Sequence, residues 1–195
     1  MRTLKTPLDP EEVKKLEVND PFNITGEIFT ARDAAHEKLL EIYDEGEDPP
    51  LPLGVYPCYH CGPVMKRGTS NWTVVSAGPT TSIRMEMFEH EFIKKFGTRI
   101  FIGKGGMGEK TLEALKNHGV YAHFTGGAGS LMAGSVEKVV DVFYLEELGM
   151  AEAVWLFEVK EFGPLVVTMD SHGDSLHEEM AEKVSNNLED LKEEL

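Results

Sequence analysis

The chain has 195 residues, 41% of them hydrophobic and 27% charged, the balance of an ordinary folded domain large enough to bury a core. Its formal net charge of −15 excludes the basic face that DNA or RNA binding requires, so any anion must be met by a local cluster of Arg, Lys and helix N-termini. No run of about 18 or more apolar residues offers a membrane span, and the opening MRTLKTPLDPEEVKKLE lacks an apolar signal core, so a cytoplasmic location is expected.

Asp9-Pro10-Glu11-Glu12 reads as a helix start, with Asp9 as cap, Pro10 at the first helical position and Glu12 closing a capping box. A strand is expected through Ile24 to Phe29. Thr30 then caps a helix with Asp33 three residues later, and Ala31, Ala35, Leu39 and Ile42 form its buried stripe. The proline-rich stretch from Glu45 to Gly54 is a loop. From Trp72 onward the pattern alternates. A strand at Trp72–Ser76 leads through AGPTTS into a helix over about Ser82–Phe96, with Met85, Phe88, Phe92 and Phe96 at helical spacing. The strand RIFI leads through GKGGMG into a helix ending near His118. A strand at Val120–Phe124 leads through TGGAGS into a short helix ending near Lys138. Two buried strands follow at Ala153–Val159 and Leu165–Met169. The acidic tail from Glu178 closes the chain as a solvated helix with Met180, Val184, Leu188 and Leu191 at helical spacing. The class is α/β, a single domain over 1–195, and its Gly-rich strand-to-helix junctions are where such folds place anion sites.

Several loops carry chemistry-bearing residues. In AGPTTSIRM, Thr80, Thr81 and Ser82 stand at a helix N-terminus with Arg84 in its first turn, an arrangement that from pattern alone reads as plain N-capping ahead of an anion site. GKGGMG places Lys104 among glycines. It nearly spells a phosphate-binding loop, but Glu109 splits the Gly-Lys-Ser/Thr run and puts a carboxylate where phosphate would sit. In FTARDAAH, Arg32 and His36 share one edge of a helix, where His36 is either structural or a proton carrier. Cys58 and Cys61 are the chain's two cysteines. Two thiolates do not hold a cubane cluster, and with no second Cys pair they read as structural thiols rather than half a zinc site. DSHGDSL, from Asp170 to Leu176, is composed of ordinary turn residues.

In order along the chain, TGEIFTARDAAH, AGPTTSIRM, IGKGG, TGGAGSL and FGPLVVTMDSHGDSL resemble the C-terminal region of class I, iron–sulfur fumarases. They are equally similar to the beta subunits of two-chain fumarases and of L-tartrate dehydratase. The resemblance covers about residues 20–180, and the chain departs from it at PCYHCGP, where aromatic and small residues are expected. It implies a swivelling β/β/α domain that closes on an alpha-type partner, in a hetero-oligomer such as a heterotetramer. The partner would hold a [4Fe-4S] cluster through three cysteines, in keeping with the cysteine count here. The substrate would be a small dicarboxylate, fumarate/malate ahead of tartrate. Thr80 matches the family's proposed base, Arg84 and Lys104 match carboxylate-binding residues, Arg32 another substrate-contacting arginine, and His36 a candidate for proton handling. Two other readings stand beside this one: a nucleotide-binding module built on GKGGMGEKT, and a regulatory domain that binds a dicarboxylate without catalysis.

Overall fold

A computed structural model describes residues 1–69 and 71–193. In chain order its elements are β1 (Arg2–Lys5), α1 (Pro10–Val13), β2 (Pro21–Thr30), α2 (Asp33–Asp44), β3 (Cys58–Tyr59), β4 (Val64–Arg67), β5 (Trp72–Ser76), α3 (Glu86–Phe96), β6 (Ile100–Gly103), α4 (Glu109–Leu115), β7 (Val120–His123), α5 (Gly129–Ala133), β8 (Val136–Phe143), α6 (Leu145–Leu148), β9 (Val154–Met169) and α7 (Leu176–Glu193). Short 3-10 turns precede β3 and α3. Among the described residues no helix is long and apolar enough to cross a membrane.

Seven strands form one sheet in the order β1-β2-β3-β6-β7-β9-β8, and β9 pairs with β2 as well, closing β2, β3, β6, β7 and β9 into a ring. β1, β2, β3, β6 and β7 run parallel, while β9 is antiparallel to its neighbours. The two-residue side-chain period of a strand sorts the core into two layers. Tyr59, Ile100, Ile102, Val120 and Ala122 face one layer with Phe22, Trp155 and Phe162. Their sequence neighbours Cys58, Phe101 and Tyr121 face the other, packed on α2, α3 and α4.

The α/β expectation holds, with corrections of detail. The stretch read as continuing a short helix to Lys138 holds β8, whose Val136, Val139 and Val142 pack on the first layer. The two predicted strands at Ala153–Val159 and Leu165–Met169 are one strand. Pro164 lies where the ladder shifts register, with Phe162 opposite Ile24 and Leu165 opposite Phe22, so pairing resumes beyond it. Thr30 ends β2 rather than capping α2: its hydroxyl accepts from Trp155 N at 3.1 Å on β9. Asp9 caps α1 as expected, but Glu12 pairs with Lys15 at 2.6 Å instead of closing a box. On α7, Met180, Val184 and Leu188 are exposed; the side chain of Leu191 lies outside the described residues.

Two carboxylates of α3 organise the helical layer. Glu86 accepts the backbone N–H of Gly108 at 2.7 Å and those of Lys110 and Thr111, together with the Thr111 hydroxyl. The anion at the N-terminus of α4 is therefore a side chain of this chain, placed there by Glu86 rather than by Glu109. Glu89 is wholly buried between two wholly buried histidines, His36 of α2 and His60 just beyond β3, at 3.5 and 3.2 Å. These are ion-pair separations, slightly long and off-axis for ideal hydrogen bonds. Burial alone would raise the Glu89 carboxyl, but the histidine charges and hydrogen bonds outweigh it and hold it down at about 2, against an ordinary 4.5. Burial alone would lower His36; the Glu89 charge outweighs that and raises it above 6.5.

Replacing Glu86 by Ala leaves several amides of α4 unpaired and should destabilise the chain by about 1–3 kcal/mol in urea unfolding. For the buried pair, the depressed Glu89 contributes stability above its unfolded value of 4.5 and loses it as pH falls towards about 2. The raised His36 contributes below 6.5 and loses it as pH rises through its folded value. The Tm difference between the native chain and Glu89→Gln should thus be widest between pH 4.5 and 6.5. A difference independent of pH would contradict the pairing.

Candidate functional site

Because β2, β3, β6 and β7 are parallel, their C-terminal ends share one edge, where open α/β sheets place ligands. The loop after β5 is carried onto that edge and wedges between the ends of β3 and β6. Pro79 bridges to Cys61, and Thr81 to Lys104. Thr80 N donates to the His60 carbonyl at 2.7 Å, Lys104 N to the Thr80 carbonyl at 3.3 Å, and Ser82 N to the Lys104 carbonyl at 3.1 Å. Gly103 is required here, since a Cβ on it would collide with Ser82 Oγ. The amides of Thr80 and Ser82 are therefore spent on the loop crossing, not left free for an anion.

The predicted site residues fall along this edge. Arg84 Nη2 donates to Thr80 Oγ1 at 3.1 Å and pairs with Asp33 at 3.0 Å. Arg32, next to Asp33, pairs through Nε with Glu152 at 3.1 Å, and the same carboxylate accepts the Ala34 N–H at 3.1 Å. Glu152 thus supplies the cap of α2 that the sequence assigned to Thr30. The Arg32 side chain crosses Gly62, where a Cβ would strike the guanidinium. Lys104 is half-buried beside Gly126, and among the described residues its ammonium has no carboxylate within ion-pair distance. Arg32, Asp33, Arg84, Thr80 and Lys104 form one contiguous run of contacts.

His36 is placed differently. Its ring is in the core behind this edge, with Nδ1 on the Arg32 carbonyl at 2.8 Å and Nε2 towards Glu89. It does not face the loops with Thr80. His60, Ser82, Glu89 and Glu152 were not singled out from sequence. Glu89 carried a readable signal: it lies four residues after Met85 and three before Phe92, on the edge that is buried. Glu152 carried none, because its partner Arg32 is more than a hundred residues away.

The two cysteines are buried and free. Cys58 faces the helical layer and Cys61 the opposite one, so they do not act as a redox pair, and burial pushes both thiols up. His36, Cys58 and His60 offer ligand atoms within 4.8 Å of one another, but Glu89 already stands on the Nε2 side of both rings. Two inert thiols in separate layers do not fit an iron–sulfur cluster. Asp170, in the DSHGDSL run, spends its carboxylate on the amides of His172, Gly173, Asp174 and Val18, a turn-building role.

The family model described as Fumarase C-terminus matches residues 2–180. A Methanocaldococcus jannaschii protein with the provisional name L(+)-tartrate dehydratase subunit beta is 46% identical over 185 residues, covering 94% of this chain and 95% of that protein. The L(+)-tartrate dehydratase subunit beta of Escherichia coli K12 is 37% identical over 195 residues, covering 100% and 95%. A Geobacillus stearothermophilus protein provisionally named fumarate hydratase class I is 47% identical over 193 residues, 98% of this chain but 36% of that longer protein. The run of contacts from Arg32 through Arg84 and Thr80 to Lys104, at the end of a parallel sheet, sits in a chain that belongs to the fumarase C-terminus family.

Proposed function

We propose that this chain is the beta-type subunit of a hydro-lyase acting on a small hydroxylated dicarboxylate, with malate and fumarate as the first reading. The observation that carries it is the run Arg32–Asp33–Arg84–Thr80–Lys104 along one edge: Arg84 donates to the Thr80 hydroxyl and pairs with Asp33 beside Arg32, and the Lys104 backbone is bonded to that of Thr80, in a chain whose net charge is −15. Such local concentration of positive charge against the overall field suits a dianionic ligand. L-Tartrate is the second reading, favoured by the names of relatives matched over 95% of their length.

A threonine hydroxyl is a weak acid, so it acts as a base only where its oxyanion is stabilised. Arg84 already donates to Thr80 Oγ1, and Lys104 is held beside it by the crossed loops. In dehydration the Thr80 oxygen takes the proton from C3 of malate. The C3–H electron pair becomes the C2=C3 double bond, and the C2 hydroxyl departs as water with a proton from the partner's side of the site. Arg32, Arg84 and Lys104 hold the two carboxylates and the charge that builds on them; Asp33 and Glu152 are the counter-ions a substrate would exchange or adjoin. The chain's own thiols do not fit a [4Fe-4S] cluster, and on this reading the alpha-type partner holds it. One domain over 1–195, swinging closed on that partner in a cytoplasmic hetero-oligomer such as a heterotetramer, completes the picture.

The test is anaerobic co-purification with the partner chain, followed by hydration of fumarate and dehydration of L-tartrate. Activity should need both chains, and Thr80→Ala should lower kcat about 10²–10⁴-fold, the range for loss of a general base, with the complex intact. Near-normal kcat for Thr80→Ala would remove the base assignment. Turnover of tartrate alone would select the second reading.

A further inference from the structure

The buried carboxylate behind the site is wired to the backbone of the loops in front of it. His36 Nδ1 lies 2.8 Å from the Arg32 carbonyl, an acceptor, so Nδ1 carries a proton. A neutral His36 would then turn a lone pair towards Glu89 Oε1, and a shared proton must lie between them. His60 differs: its Nδ1 is 2.9 Å from Ser82 Oγ, a hydroxyl able to donate to it, and in that tautomer Nε2–H is on the side of the other carboxylate oxygen, 3.2 Å away. With His60 in that tautomer, one shared proton satisfies the whole cluster. From its two ends the ties continue. The Arg32 carbonyl also accepts the His36 N–H at 2.9 Å, the His60 carbonyl accepts Thr80 N, and Ser82 N reaches the Lys104 carbonyl. Glu89 touches none of Arg32, Thr80 or Lys104, yet one residue connects it to each of their backbones or to the loop crossing that holds them.

We propose that Glu89 is a positioning residue, fixing the start of α2 with Arg32 through His36 and the crossed loops with Thr80 and Lys104 through His60 and Ser82. The proposal rests on the hydro-lyase reading of those residues. Positioning matters at this scale because a displacement of about 1 Å can lower a rate about 10²-fold.

Three variants test it: Glu89→Gln, Glu89→Leu and Ser82→Ala. A glutamine amide oxygen accepts from His60 Nε2–H and its NH₂ donates to a neutral His36 Nε2, keeping both ties without the shared proton. Leucine removes both, and Ser82→Ala deletes one hydroxyl, so it answers any failure of Glu89→Leu to fold. Two readouts are taken: hydrogen exchange of the Thr80, Ser82 and Lys104 amides in the full chain, and kcat and KM of the complex with its partner on fumarate and L-tartrate. For Glu89→Gln, exchange should match the native chain and kcat stay within about threefold. For Glu89→Leu and Ser82→Ala, loop protection should fall about tenfold or more, with β6 and β7 amides unchanged. Their kcat should fall about 10–100-fold, more than KM rises.

Native loop protection in both of those variants overturns the tie whatever the activity. Lost protection with native kcat overturns its role in positioning. A native complex inactive on both substrates sinks the hydro-lyase reading and the catalytic role together, while exchange still decides whether the tie exists. Stoichiometric zinc retained by the native chain and lost in Glu89→Gln would put a cation where the shared proton is placed, and would overturn the proposal.

Discussion

A carboxylate with no exposure to water, held between two equally buried histidines, is the constraint around which this molecule is arranged. An uncompensated charge at such a place is strongly unfavourable, and removing one partner of a buried pair costs about 3–5 kcal/mol. That is comparable to burying one or two large apolar side chains, at about 1.5–3 kcal/mol each. The contact therefore forces α2, α3 and the end of β3 into one relative placement, since any other would strand the charge. Apolar packing of Phe29, Phe92 and Phe101 around it, with ring centroids 6.3–6.4 Å apart, tolerates sliding far better than a carboxylate between two ring nitrogens does. Specificity of arrangement, more than net stability, is what an ionic cluster adds to such a core.

The outer edge follows from the inner one. Arg32, Arg84 and Lys104 gather along one edge of a chain whose net charge is −15, and each of these two arginines is held by a carboxylate that also belongs to the scaffold. These partly exposed pairs contribute little to stability. Their effect is orientation: Arg84 is aimed at Thr80, and Arg32 is laid across Gly62. The glycine-rich loops serve close approach of backbone and side chain, whereas the helix terminus that a phosphate would want is taken by Glu86. The nucleotide-binding alternative thus meets a carboxylate at its central contact.

What the sequence made legible is what local rules govern. The short apolar runs at Ile100–Gly103 and Val120–His123 and the stripe Met85–Phe92 read correctly because an apolar run bounded by a Gly-rich loop and helical spacing are properties of short windows. The order of motifs singled out Thr80, Arg84, Lys104 and Arg32, which lie along one edge of the fold. Hidden were the features made by distant partners. Thr30 looks like a helix cap until β9 claims its hydroxyl; Pro164 looks like a strand end until the register shift accommodates it; Glu152 looks like one more surface acid. His36 was visible as a chemically active type, but its burial depended on α3 lying over it, which no window around residue 36 contains.

The ring of strands has a temporal consequence. β2 is among the first strands of the chain, yet its long partner β9 begins more than a hundred residues later, and β7 also waits for β9. Contacts so distant in sequence carry the largest loop-closure entropy and form slowly. During synthesis the edges of β2 and β7 stay open until Met169 has emerged, and open strand edges invite pairing with other chains. The nascent molecule is thus an incomplete barrel until β9 is made, and that one strand closes both open edges.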